Sequence, residues 1–123
     1  MANLFLNLTN HPSSLWCGKQ LEAARAYGEI IDMPFPVIDE MADETYIEAL
    51  ADEYLQKILE LAKDKNVIVH LMGELTFTFA LLKRLQGYGI PCIASTSKRI
   101  VREETAGRKT EVIFQFERFR RYE

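Results

Sequence analysis

The segment 66–99, NVIVHLMGELTFTFALLKRLQGYGIPCIASTSKR, constrains the fold more than any other part of the chain. It opens on an apolar, β-branched run at 67–71 and closes on a second at 90–94, with about four helical turns between them at 74–88. Neither run alternates polar and apolar residues. That is the pattern of parallel strands buried on both faces and joined by a crossover helix. Ligands of open α/β sheets bind at the carboxyl edge of such strands. Here that edge carries Met72, Gly73 and Glu74 after the first run, then Ser95, Thr96, Ser97, Lys98 and Arg99 after the second.

The rest of the chain extends this unit. Residues 2–8 read as a first strand, followed by the polar loop Asn10, His11, Pro12, Ser13 and Ser14. A helix over 15–27 follows, capped by Ser13 or Ser14 and stopped by Gly28. Residues 29–33 read as a second strand, ended by Pro34 and Pro36. Asp43 caps a long amphipathic helix running to about Lys65, with Tyr46 and Tyr54 expected in its core or at its edge. The helix at 74–88 is apolar around most of its first two turns, which predicts either self-association through it or burial against the C-terminal hairpin. That hairpin is read as strands at 100–104 and 111–119 around a turn at Ala106, Gly107 and Arg108.

The order predicts an α/β fold: a Rossmann-like, mostly parallel sheet with flanking helices and a C-terminal antiparallel β-hairpin. A chain of 123 residues suits a single domain, 1–123. In this topology the first strand lies beside the third, and the loops after strands one, three and four converge on one cleft.

Three groups of residues then meet. Asn10, His11, Ser13 and Ser14 come from the first loop, Gly73, Glu74 and Thr76 from the second, and Ser95, Thr96, Ser97, Lys98 and Arg99 from the third. Hydroxyls, amides and cations in one place suit phosphate and sugar recognition. Lys98 and Arg99 are the strongest candidates, as cations placed directly after a buried strand, with Ser95 and Thr96 next. His11 is the histidine placed to act as an acid or base. Glu74 also has the ordinary role of a first-turn acid, and Gly73 that of a turn.

Charge supports an anionic ligand. Residues 1–97 hold 7 Lys and Arg against 13 Asp and Glu, a balance of −6, whereas residues 98–123 hold 8 against 5, a balance of +3. General DNA or RNA binding is not expected, because no long stripe interleaves basic and aromatic residues; Arg118, Arg120 and Arg121 beside Phe119 and Tyr122 come nearest. No metal site is expected from two histidines without ligand spacing, and no dinucleotide cofactor from a chain without a glycine-rich phosphate loop. Neither a membrane span nor a signal peptide is read, so the expected address is cytoplasmic, with Cys17 and Cys92 as reduced thiols.

The N-H-P-S-S of 10–14, the M-G-E of 72–74 and the S-T-S-K-R of 95–99, in a chain of this length, resemble a family of small CRISPR-associated proteins: the CARF-like, Rossmann-like sensors of type III systems, which include stand-alone ring nucleases. The resemblance covers nearly the whole chain. It implies a homodimer that binds a cyclic oligoadenylate, foremost the tetra-adenylate, across its two-fold axis. It further implies metal-independent cleavage to linear di-adenylate ending in a 2′,3′-cyclic phosphate, which switches type III CRISPR signalling off. On this reading Arg99 and Lys98 face the phosphate, Ser13 donates to it with Ser95 and Thr96, and His11 assists proton transfer. Asn10, Ser14, Gly73, Glu74, Thr76 and Ser97 complete the ligand contacts. Two alternatives stand beside it: a non-catalytic module that senses or sequesters the same ligand, and an unrelated flavodoxin-like protein binding a nucleotide or phosphometabolite.

Overall fold

The computed structural model describes residues 1–103 and 110–123. Five strands, β1 (Ala2–Leu8), β2 (Glu29–Asp32), β3 (Lys65–Leu71), β4 (Cys92–Glu103) and β5 (Thr110–Arg121), form one sheet in the order β2-β1-β3-β4-β5. The first four run parallel to their neighbours, and β5 pairs antiparallel with β4. The helices are α1 (Gly18–Arg25), α2 (Glu44–Ala62) and α3 (Leu75–Gly87). This is the Rossmann-like α/β architecture with an antiparallel C-terminal pair that the apolar runs predict.

The period of two along the strands divides the core between two faces. Leu4, Leu6 and Leu8 of β1 join Val67, Val69 and Leu71 of β3 in the larger cluster, with Ile47, Ala51, Leu55 and Ile58 of α2 and Phe77, Leu81 and Leu85 of α3. Phe5, Ile93, Phe116 and Phe119 face the other way, onto Ala24 of α1. Each large aliphatic side chain buried here contributes about 1.5–3 kcal/mol. One face thus carries two long helices and the other a single helix of eight residues. The short cover leaves the carboxyl end of that second face open.

Asp43 caps α2 as read, accepting from the Tyr46 amide at 2.9 Å. Arg84 of α3 ties this helix pair at the surface, with Nε 2.7 Å from Asp52 and its guanidinium also on Glu48. Tyr54 packs edge-on against Phe77, but Tyr46 is exposed, because its position on α2 falls outside the strip that meets the sheet. Helix α3 packs on α2 and leaves Leu75 and Phe79 exposed.

Two readings of local structure are corrected. The helix expected over 15–27 is a 3₁₀ turn at Ser13–Leu15 followed by α1, whose N-cap is Cys17 without a side-chain cap. Ser13 does not cap because its hydroxyl is drawn to Asp32, at 2.7 Å. The second correction concerns Ser95, Thr96, Ser97, Lys98 and Arg99, which are not a loop. They are the middle of the twelve-residue β4, paired throughout with β5 across one register shift at Thr96/Ser97. Beyond the sheet the two strands form a ribbon with solvent on both sides, so no apolar alternation is needed to make them strands. Glu104 and the turn at Ala106, Gly107 and Arg108 lie outside the described residues.

Candidate functional site

The chain leaves β1 toward β2 on one side and returns to β3 on the other, so the carboxyl ends of β1 and β3 form a topological switch point. A cavity of about 600 Å³ opens there on the face that α1 covers. Thr9, Asn10 and His11 line it from the end of β1, and Leu15, Trp16, Cys17 and Gln20 from the turn and start of α1. His70, Met72 and Gly73 follow from β3, with Ser95, Ser97, Phe114 and Phe116 from the β4–β5 ribbon. A smaller cavity of about 320 Å³ shares Thr9 and Asn10 with it and continues past Asp32 to Phe35.

The polar framework beneath the cavity is built around Asn7. Its side-chain amide donates to the His11 carbonyl at 2.9 Å and to Asp32 Oδ1 at 2.8 Å. Its Oδ1 accepts from Thr9 Oγ1 and pairs with His70 Nδ1, each at 3.0 Å. Because both contacts of the Asn7 nitrogen are acceptors, the amide orientation is determined, and His70 Nδ1 must carry the proton. The His11 backbone is held on both sides, its N–H donating to Thr9 Oγ1 at 3.1 Å and its carbonyl also accepting from Trp16 Nε1 at 3.2 Å. The side chain of His11 stands exposed at the cavity wall.

His70 is 2% exposed, and its ring is enclosed by Phe5, Trp16 and Phe119, with centroids 5.8, 5.6 and 5.1 Å away. Burial, reinforced by the nearby His11, pushes its pKa down to about 4. The imidazole is therefore neutral near pH 7. Nε2 has no hydrogen-bond partner among the described residues. Asp32 is the other titratable group of the framework: burial raises its pKa, but hydrogen bonds from Asn7 and from the hydroxyl and amide of Ser13 outweigh that and hold it below its usual range.

The residues singled out from sequence divide into three sets. Asn10, His11, Gly73, Ser95 and Ser97 share the cavity. Arg99 lies opposite Phe114 in the β4–β5 register, and paired residues project to one face, so Arg99 stands at the outer rim on the cavity side. Lys98, opposite Gln115, projects from the other face. Ser13 is engaged with Asp32, and Ser14 is outside the cavity lining. Thr96 bonds Arg118 through its hydroxyl, which accepts from the Arg118 amide at 3.2 Å. Glu74 caps α3, accepting from the Thr76 and Phe77 amides at 2.9 Å each and from the Thr76 hydroxyl. The Thr76 and Phe77 hydrogen bonds hold its pKa low, and Glu74 is the N-cap itself, one position before the first turn in which the acid was expected, with Thr76 engaged by that cap.

Sequence reasoning did not single out Trp16, Gln20 or His70, and it placed Met72 at the strand end without making it a site residue. The available signal was His70 itself, the single polar residue in the run Val67, Ile68, Val69, His70, Leu71. Met72 reaches Ser95, whose hydroxyl and amide both lie 3.2 Å from its sulfur. Gly73 has a steric reason to be glycine, since a Cβ there would collide with the Phe35 ring. Among the described residues, no group of three or more His, Cys, Asp or Glu side chains is disposed to hold a metal ion. None of the described helices is long and apolar enough to cross a membrane.

A family model described as the uncharacterized protein MJ1673 family matches residues 3–120. No curated protein matches the chain. Among solved structures it is similar to Enterococcus italicus Csm6 bound to cyclic hexa-2′-fluoro-hexa-dAMP. The identity is 14% and the TM-score 0.45, over 78% of this chain and 33% of that one. The chain thus spans about a third of the length of that structure.

Proposed function

The chain belongs to the MJ1673 family, and we propose that this member binds a cyclic oligoadenylate, foremost the tetra-adenylate, and cleaves it as a ring nuclease of type III CRISPR signalling. The observation that carries the reading is the cavity itself. It draws on all three stretches in which the sequence resembles the CARF-like sensors: Asn10 and His11 from the first, Met72 and Gly73 from the second, Ser95 and Ser97 from the third. They meet at the switch point where doubly wound sheets hold nucleotides.

The chemistry requires positioning more than a special nucleophile. A ribose 2′-hydroxyl attacks its own 3′-phosphate, forming the 2′-O–P bond as the P–O5′ bond breaks. The 2′ proton passes to a base, and the departing 5′ oxygen gains one. Two such cuts in a four-membered ring give two linear di-adenylates, each ending in a 2′,3′-cyclic phosphate. His11, exposed at the wall, is the proton-transfer group on this reading. Arg99 at the rim stabilises phosphate charge, while Ser95, Ser97 and Asn10 supply hydrogen bonds. Lys98 and Ser13 drop out of the catalytic set, the first by its face of the ribbon and the second by its bond to Asp32. A homodimer placing two such cavities about a two-fold axis would match the symmetry of the ring. Single-domain organisation and a cytoplasmic address belong to the same proposal.

A second reading keeps the ligand and removes the cleavage, and one observation favours it: among the described residues that line the cavity there is no lysine or arginine, and Arg99 stands only at its rim. Incubation of the protein with cyclic tetra-adenylate and, in parallel, the hexa-adenylate, in EDTA and in magnesium, followed by liquid chromatography and mass spectrometry, separates these outcomes. Linear di-adenylate with a cyclic phosphate is the expected product of the tetra-adenylate. Intact ring retained by the protein supports the sequestering module, and the absence of both binding and cleavage refutes the ligand assignment.

A further inference from the structure

We propose that His70 contacts the ligand directly, its Nε2 accepting a hydrogen bond from a donor group of the molecule bound in the cavity. The inference deepens the cyclic oligoadenylate reading and rests on it. In that ligand the donors are the ribose 2′-hydroxyl and the adenine 6-amino group, which share the chemistry required.

Three observations meet at one atom. Buried side-chain nitrogens are almost always hydrogen-bonded, yet Nε2 of this 2% exposed residue has no partner among the described residues. The Asn7 contact places the proton on Nδ1, which leaves Nε2 with a lone pair and no hydrogen. His70 borders the cavity between the loop that carries His11 and the strand that carries Ser95. An acceptor in this position repels a phosphate oxygen and selects a donor. With a pKa near 4 the ring does not become a cation at neutral pH, so the selection holds.

Nε2 is itself buried, so the contact requires a wall side chain to give way. Trp16 is placed to do so: it stands edge-on to the imidazole at 5.6 Å, is only partly buried, and is the one tryptophan of the chain. Its fluorescence therefore reports on this wall alone.

Calorimetric titration of the wild type and of His70→Phe with three rings tests the assignment: cyclic tetra-adenylate, its 2′-deoxy counterpart, and cyclic tetra-inosinate, in which a carbonyl replaces the 6-amino group. Phenylalanine keeps the aromatic packing and removes both nitrogens; a thermal melt checks the fold. The wild type is expected to bind one modified ring about tenfold more weakly than the parent, and His70→Phe to lose that discrimination for the same ring. Whichever ring responds identifies the donor. Should the variant fail to fold, the nitrogen-15 resonance of His70 Nε2 in the wild type gives the same answer, with a shift expected on binding of the parent ring. Equal binding of all three rings by the wild type, unchanged discrimination in the variant, or an unmoved Nε2 resonance overturns the assignment and leaves the ligand reading standing. Failure of the wild type to bind any ring overturns both.

Discussion

Asn7 and His70 occupy registered positions on the neighbouring strands β1 and β3, and the 3.0 Å contact between Asn7 Oδ1 and His70 Nδ1 joins the first loop to the buried histidine. The same Asn7 side chain holds Asp32 of β2 and the backbone of His11. A single amide therefore links three strands at the edge where the cavity opens.

Replacing Asn7 with alanine leaves His70 Nδ1 and the His11 carbonyl short of a partner and opens a void between strands. Urea unfolding should show a loss of about 2–4 kcal/mol. A loss under 1 kcal/mol would mean that water takes over the network.

The pH dependence of stability follows from His70, whose pKa is near 4 in the folded chain against an ordinary value of 6.5. Between those values the unfolded chain binds more protons, so stability falls with falling pH in that window and is complete above it. The expected loss from pH 7 to pH 4 is about 3 kcal/mol from this residue. The Asp32 and Glu74 carboxyls, held low in the folded chain, extend the loss toward more acid pH. Urea midpoints measured across pH 4–8 should show this slope in the wild type and a flatter profile in His70→Phe; parallel profiles would contradict the buried neutral state.

Gly73→Ala places a methyl group against the Phe35 ring. Phe35 in turn packs edge-on against Phe77, 5.3 Å away, so the strain reaches the larger core. Thermal melting should report a loss of about 1–3 kcal/mol, and Phe35→Leu in the same chain should recover part of it. Additive effects of the two substitutions would rule out this contact as the cause.

The two cysteines should differ in reactivity. Burial pushes the Cys92 thiol up to about 12, whereas Cys17 is exposed and borders the cavity. Iodoacetamide with peptide mapping should label Cys17 alone in the folded protein, and saturating cyclic tetra-adenylate should slow that labelling. Labelling at an unchanged rate would place the ligand elsewhere.

Adjacent cations on the ribbon should behave differently under the proposed function. Arg99→Ala should weaken binding or cleavage of cyclic tetra-adenylate about tenfold or more, while Lys98→Ala stays near wild type, because the two residues project to opposite faces. Equal effects in the two variants would show that the hairpin acts only through its net charge.

Much of the fold could be read from local chemistry. The uninterrupted apolar run at 67–71 and the strand at Ala2–Leu8 announce buried parallel strands, and Asp43 announces the start of α2. Glu74, at a helix start, had a local explanation as a helix-initiating acid, and it acts there as the N-cap. These features depend on neighbours a few residues away, so local sequence was enough to set them. Other outcomes depend on partners distant along the chain. Ser95 to Arg99 look like a loop until β5 supplies hydrogen bonds from residues about twenty positions later. Which of Lys98 and Arg99 faces the cavity follows from that pairing and its register shift, not from composition. Tertiary structure alone decided the state of His70: an ordinary titratable side chain becomes a buried neutral acceptor because Asn7, sixty-three residues earlier, accepts a hydrogen bond from its Nδ1–H and three aromatic rings exclude water from it.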